Sequence, residues 1–132
     1  MIIKNSHTVR KQPMAMPGAE RVEMQMLCGP DDGCPNFAMR KFTVAPGGST
    51  PRHAHDYEHE IFVLSGRGVA VTEAGEKAFH TGDAIYVKAN EMHQFRNVGD
   101  APLQFLCLVP AFVHRPGGAA AVNCGCELKS EV

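Results

Sequence analysis

Four of the seven histidines fall at positions from which their side chains could bind one metal ion: His53, His55, His59 and His93. Side chains alternate along an extended strand, so His53 and His55 are predicted to leave one face about two ~3.3 Å rises apart. His59 follows a short turn and His93 begins a later strand, which lets all four imidazoles face the same point. We therefore predict that they hold one divalent transition-metal ion, Mn, Fe, Ni, Cu or Zn, whose identity the pattern leaves open.

A ligand set made only of neutral imidazoles would leave the ion with its full positive charge, which favours an anionic or chelating ligand. Four imidazoles on a six-coordinate ion leave two positions open, enough for a chelating substrate or for a substrate and dioxygen. The sequence therefore predicts an oxygen-using, dioxygenase-like metalloenzyme that acts on a small organic molecule. Two alternatives stay open: a metal-dependent isomerase or decarboxylase without redox chemistry, and a protein that binds or senses a small molecule without turnover.

Residues near these histidines in the strand pattern are predicted to line a pocket. Phe95 lies two residues beyond the last histidine, and Phe105 shares a face with Cys107, so these three are candidate substrate-binding residues. Ordinary core filling is the alternative for the aromatic pair. Arg40 is the candidate catalytic residue, because a guanidinium in an apolar strand could clamp a carboxylate or enolate; the alternative is an exposed or interface arginine. Tyr57 is predicted to be an exposed turn residue.

The cysteines form an odd set that does not suggest a disulfide scaffold: Cys28, Cys34, Cys107, Cys124 and Cys126. Reduced thiols are therefore expected. The alternative is a second, structural metal site in which the last two cysteines fold back onto Cys28 and Cys34. Neither the Cys-x-Cys nor the Cys-x5-Cys spacing is that of the usual zinc knuckle.

Thirteen glycines and nine prolines separate short alternating segments, which predicts an all-β sandwich or barrel. The predicted strands lie at residues 22–28, 37–44, 52–55, 59–65, 68–73, 76–80, 84–87, 93–97 and 101–109. The sequence Ala45-Pro46-Gly47-Gly48 is predicted to end the second of these strands. No window carries a clean helical period.

The overall composition fits one folded domain that handles small molecules. The chain has 132 residues, of which 44% are hydrophobic and 20% charged. A net charge of -1 gives no field to attract nucleic acid, and apolar runs of four residues are too short to span a membrane. The N-terminus lacks the pattern of a secretory leader, so a cytoplasmic location is expected. His7, His80 and His114 are predicted to lie at the surface.

Two stretches resemble the two motifs of the cupin superfamily. The first has Gly47, five residues, His-x-His, three residues and His-Glu, and the second has Gly82, five residues, Lys88, a histidine five residues later, and then Asn97. The second departs from the family pattern where Lys88 replaces a proline and Asn90 replaces a glycine, so a differently shaped loop is expected there. The resemblance covers roughly residues 20–110 and is closest to small single-domain cupins with four histidine ligands.

This resemblance implies a double-stranded β-helix, or jelly-roll barrel, over residues 20–110, with a metal in its mouth and pairing into a homodimer. Residues 1–19 then form an N-terminal segment, and residues 111–132 a C-terminal tail that carries the Cys-x-Cys. Many cupins use a glutamate ligand in this region, and strand alternation allows only one of His59 and Glu60 to reach the ion. The likeness to the four-histidine group favours His59, which leaves Glu60 to orient an imidazole or to lie at an interface.

Overall fold

Nine strands build the fold over residues 1–115, which are the residues that this computed structural model describes. Their bounds are β1 Gln12–Pro13, β2 Glu20–Cys28, β3 Phe37–Ser49, β4 His59–Ser65, β5 Arg67–Thr72, β6 Gly75–His80, β7 Ala84–Val87, β8 Gln94–Asn97 and β9 Leu103–Pro110. All pairs are antiparallel, in the order β6-β5-β8-β3-β9-β4-β7, with β2 paired to β3 and β1 paired to β2. The predicted all-β, single-domain barrel is confirmed.

Strand alternation decides which side chains face the inside of the curled sheet. Along β4, Ile61 and Val63 are buried, whereas Phe62 and Leu64 between and after them are exposed. The same period of two buries every second residue of β9, beginning with Leu103. Each strand therefore offers one face to a shared interior and the other to the outside.

The prediction that Ala45-Pro46-Gly47-Gly48 ends a strand is wrong, because β3 continues to Ser49. The strand passes this point because Gly47 adopts a φ of +81°, a left-handed conformation that glycine reaches without steric cost. A Cβ on Gly48 would lie 2.5 Å from the carbonyl oxygen of Glu20, so only glycine allows this close approach of β2. The end of β3 thereby reaches β8, where Ser49 pairs with Arg96.

The predicted strand at residues 52–55 is also not a strand. The segment is a loop attached to the sheet by one isolated bridge between His53 and His93. The His53 N–H donates to the His93 carbonyl at 3.2 Å, and the His93 N–H donates to the His53 carbonyl at 3.0 Å. These two hydrogen bonds fix the loop beside the start of β8.

Segments on either side of the β2–β9 sheet pack onto the barrel. Met14 and Met16, from the predicted N-terminal segment, are 8% and 7% exposed and belong to the core. After β9 a helical turn at Ala111–His114 buries Val113. None of the helical turns in residues 1–115 approaches the length that crossing a lipid bilayer requires.

Candidate metal centre

The four predicted ligands converge at one end of the barrel interior. His59 is the first residue of β4, and His93 immediately precedes β8. His53 and His55 lie in the loop between β3 and β4. One ring nitrogen from each histidine lies within 4.8 Å of the corresponding nitrogen of every other.

A second loop carries His93 to this point. Its Asn90 adopts a φ of +68°, and its backbone N–H donates to the carbonyl oxygen of His55 at 2.6 Å. Asparagine is one of the few residues other than glycine that tolerates this left-handed conformation. Asn90 therefore adopts the left-handed turn conformation at the position where the family pattern has glycine.

The imidazoles meet edge to face around a common centre. The ring centroids of His55 and His59 are 4.4 Å apart, and their planes are 82° from parallel. The centroid of His93 lies 4.9 Å from that of His53 and 5.1 Å from that of His59. Such mutual tilts aim ring nitrogens at a shared point, whereas stacked rings would turn their faces to one another.

Burial keeps these imidazoles in the neutral form that a metal requires. Loss of hydration lowers the pKa of His53 from 6.5 to about 3, with a further contribution from His93, and lowers that of His55 to about 4. Burial likewise lowers the pKa of His93, and it holds that of His59 well below the usual value, with Arg40 as the next cause. Each ring therefore offers a lone pair at neutral pH.

Backbone carbonyls orient two of the ligands. Nδ1 of His55 lies 3.0 Å from the carbonyl oxygen of Tyr57, and Nδ1 of His93 lies 2.8 Å from that of Glu91. A carbonyl only accepts, so both rings carry their proton on Nδ1 and present the lone pair of Nε2. The Tyr57 ring also stacks on His55, with centroids 3.9 Å apart and planes 8° from parallel.

The predicted exposure of Tyr57 is wrong, since its side chain is only 4% exposed. The prediction rested on the position of Tyr57 in a turn, and turn residues are usually exposed, but here the ring stacks on His55. Its contact with His55 is one of the features that sequence reasoning missed.

The structure fits a metal ion at the centre of the cluster. Nε2 of His59 lies 2.7 Å from Nε2 of His55. Two lone pairs at this distance repel each other, whereas a cation bound by both atoms would attract both lone pairs. Metal–nitrogen bonds of roughly 2.1 Å set opposite ligands about 4.2 Å apart, so the largest separation of 4.8 Å requires only small ring movements.

Arg40 is wholly buried within one chain, so the alternative of an exposed or interface arginine is wrong. One guanidinium nitrogen lies 3.0 Å from Sγ of Cys107 and 3.4 Å from Nδ1 of His59. The other lies 3.5 Å from Nε2 of His114, which was predicted to lie at the surface and is partly buried. The guanidinium also lies 5.0 Å from the ring centre of Phe42.

A small cavity of about 30 Å³ adjoins three of the histidines. The candidate substrate-binding residues Phe95, Phe105 and Cys107 line it, together with Arg40. Met14 lines it as well, and sequence reasoning missed this residue although Met14 and Met16 follow a strand-like alternation. No Asp or Glu of residues 1–115 lies in the cavity wall.

Neighbouring residues His59 and Glu60 point in opposite directions. His59 is 4% exposed and belongs to the cluster, whereas Glu60 is exposed on the outer face of β4. Glu60 borders an outer groove with Phe37 and Leu108. The described residues therefore supply four imidazoles and no carboxylate at this centre.

The other predicted features lie away from the cluster. His7 and His80 are exposed. Cys28 is exposed and Cys34 is partly buried, near the ion pair of Lys4 and Asp32, whose atoms are 2.8 Å apart. Cys124 and Cys126 lie outside the described residues, so the second metal site stays a prediction.

Comparison with known proteins identifies this combination of fold and site. A family model for the cupin domain matches residues 40–109. Among solved structures, a polyketide cyclase from Streptomyces resistomycificus superimposes with a TM-score of 0.79 and 31% identity, covering 84% of this chain and 80% of that one.

Two curated relatives share parts of the sequence. A 1-methylthio-D-xylulose 5-phosphate methylsulfurylase from Rhodospirillum rubrum is 35% identical over 78 residues, which are 59% of this chain and 50% of that protein. An oxalate-binding protein from Thermotoga maritima is 28% identical over 114 residues, which are 83% of this chain and 93% of that protein. The match thus spans only half the length of the methylsulfurylase.

Proposed function

The chain belongs to the cupin family, and from this membership we propose that its four clustered histidines bind one divalent transition-metal ion and present it to a small anionic organic molecule. The observation that carries the proposal is the approach of four neutral ring nitrogens, three of them from buried side chains, within 4.8 Å of one another. When bound, the ion supplies a Lewis acid and, for Mn, Fe, Ni or Cu, a redox centre.

An anionic ligand suits the electrostatics of the site. The four imidazoles neutralise none of the charge on a divalent ion, and Arg40 adds a positive charge in the cavity wall. Negative groups such as carboxylates or enolates are favoured in such surroundings. The oxalate-binding protein from Thermotoga maritima, which resembles this chain along most of its length, supports a small carboxylate as the ligand class.

The cavity limits how much of the substrate enters. A space of about 30 Å³ holds roughly two water-sized groups. Phe95 and Phe105 line this space and exclude bulk water from it. His53 is the least buried of the four ligands, so the remainder of the substrate would lie on its side of the cluster.

The reaction that we favour is an oxygen-using, dioxygenase-like conversion. Isomerisation or decarboxylation needs a side chain that moves a proton, and the cavity wall in residues 1–115 contains no carboxylate for this purpose. An oxidative reaction makes less demand on such a base, and its small gaseous co-substrate suits the narrow space beside the histidines.

The second candidate is metal-dependent chemistry without redox change. It is supported by the resemblance to a polyketide cyclase and to a methylsulfurylase, neither of which is named for an oxidation. Ligand binding without turnover is the third possibility, in keeping with the name of the oxalate-binding protein.

Reconstitution with single metals distinguishes these candidates. The metal-free protein is loaded with Mn, Fe, Ni, Cu or Zn, and dioxygen uptake is measured with oxalate and small enolic acids, using the H93A variant as the control. Uptake that requires both the metal and His93 supports the oxygen-using reaction. Product formed equally without oxygen supports the second candidate, and tight binding without product under every metal supports the third.

We also propose a homodimer that forms through the outer face of the sheet. Phe37, Phe62 and Tyr86 are 70%, 46% and 59% exposed there, and large apolar side chains left in water favour association. Sedimentation equilibrium of the wild type and of an F62E variant tests this, since the variant is expected to be a monomer. A cytoplasmic location is proposed as well, and Cys28 and Cys34, which form no disulfide within the described residues, are compatible with it.

A further inference from the structure

The outer ring nitrogen of His59, Nδ1, has surroundings unlike those of the same atom in His55 and His93. In His55 and His93 this atom meets a backbone carbonyl, as described above. Among the described residues, Nδ1 of His59 instead meets two side chains: Sγ of Cys107 at 3.1 Å and a guanidinium nitrogen of Arg40 at 3.4 Å. Within residues 1–115, this ligand of the proposed metal centre is therefore held by side chains alone.

The register of the sheet creates this contact. Strand β9 lies between β3 and β4, and Cys107 pairs with Arg40 on one side and with Ile61 on the other. His59 precedes Ile61 by two residues and so projects from the same face of β4. The sulfur is thereby placed in contact with both the guanidinium and the imidazole.

Hydrogen-bond chemistry assigns a role to the sulfur. When Nε2 of a neutral histidine binds a metal, its proton must lie on Nδ1 and needs an acceptor. Arg40 has only donors, so it cannot accept that proton. We propose that Cys107 is a positioning residue, whose sulfur accepts the Nδ1 hydrogen bond of His59 and so orients this ring as a metal ligand.

Arg40 completes the arrangement by holding the sulfur. Its guanidinium donates to Sγ of Cys107 at 3.0 Å, and burial over the Phe42 ring restricts its movement. Arg40 and His59 thus contact the same sulfur, and the bond from Arg40 fixes the position of that sulfur beside the imidazole. Arg40 then acts on the metal centre through Cys107 and His59, on the side of the ligand ring away from the ion.

The test compares three variants whose side chains separate the hydrogen bond from packing. C107A removes the acceptor, and C107S keeps an acceptor of smaller size. V109A is the matched packing control, because Val109 is equally 3% exposed and faces inward two residues along β9. Zinc affinity is measured by competition with a chelator, and the histidine nitrogens of the zinc-loaded proteins are observed by 15N NMR. Thermal melting confirms that each variant is folded.

The inference rests on the proposed metal function. Loss of an outer hydrogen-bond partner typically weakens metal binding about 10–100-fold, and we expect this in C107A with a shifted Nδ1 resonance for His59 alone. C107S should recover most of the affinity, and V109A should match the wild type. Unchanged affinity and an unchanged His59 resonance in C107A would overturn this inference alone. A wild-type protein that takes up no zinc would instead overturn the proposed function.

Discussion

The metal centre has a loop side and a strand side, which hold their histidines by different means. On the loop side, backbone carbonyls accept from His55 and His93, and a paired backbone bridge fixes the position of His53. On the strand side, His59 depends on the Cys107 sulfur. Backbone support follows from the fold and tolerates many side-chain changes. Side-chain support depends on particular residues, so one substitution can disturb a ligand without disturbing the fold.

Removing a ligand from either side should have the largest effect and tests whether the sides share one ion. H59A and H93A should each weaken zinc binding by more than the roughly 10–100-fold typical of changes behind a ligand. H80A is the control, because His80 is exposed and does not belong to the cluster. Chelator competition gives the affinities. Retention of tight binding in one ligand variant would show that the two sides do not act together.

Acid should destabilise the metal-free protein, because the folded state holds its histidines neutral. Their pKa values lie below 6.5, with His53 at about 3 and His55 at about 4. Between those values and 6.5 the unfolded chain binds more protons, so the free energy of unfolding falls as the pH drops from 6.5. Urea unfolding of chelator-treated protein at pH 7.5, 6 and 5 measures this. In H53A the free energy of unfolding should depend less steeply on pH. The prediction would be contradicted if the free energy of unfolding of the wild type did not change over this pH range.

A change in the loop turn should damage the fold and the loop-side ligands together. N90V places a β-branched residue at a φ of +68°, with an expected loss of roughly 1–2 kcal/mol in the free energy of unfolding. N90G removes this strain and serves as the control. Because the Asn90 N–H binds the His55 carbonyl, zinc affinity should fall in parallel with stability. An N90V protein with unchanged stability but weakened zinc binding would contradict this prediction, because a loop-side ligand would then be disturbed without damage to the fold.

The smallest effect is expected one residue from a ligand, on the opposite face of β4. E60Q should bind zinc as the wild type does, since Glu60 is exposed on the outer surface of the sheet. Because His59 and Glu60 are neighbours in the chain, a difference between E60Q and H59A shows the effect of the direction in which each side chain points. Loss of zinc binding in E60Q would mean that the carboxylate, and not the His59 imidazole, faces the ion.

Local periodicity predicts most of the strands, and short spacings group His53, His55 and His59, whereas His93 joins them from a later part of the chain. The two-residue alternation of side chains along a strand buries both Phe105 and Cys107, and it turns His59 inward and Glu60 outward. It assigns residues 52–55 wrongly to a strand, although the histidines there still reach the cluster through a single bridge to His93.

Features that depend on distant parts of the chain could not be predicted in this way. The Arg40–Cys107–His59 contact requires the register of three strands, which no short segment encodes. Met14 reaches the cavity from a segment with a strand of only two residues. The burial of Tyr57 follows from stacking on His55 in a turn, where alternation gives no information.

X-ray absorption spectroscopy of the metal-loaded protein, together with its metal content, tests the central claim most directly. We predict one ion per chain with four imidazole nitrogens of the protein as ligands. In a variant that lacks His59 and His93, the imidazole scattering should be lost. Scattering dominated by sulfur ligands, or a metal content that this double substitution leaves unchanged, would contradict the claim.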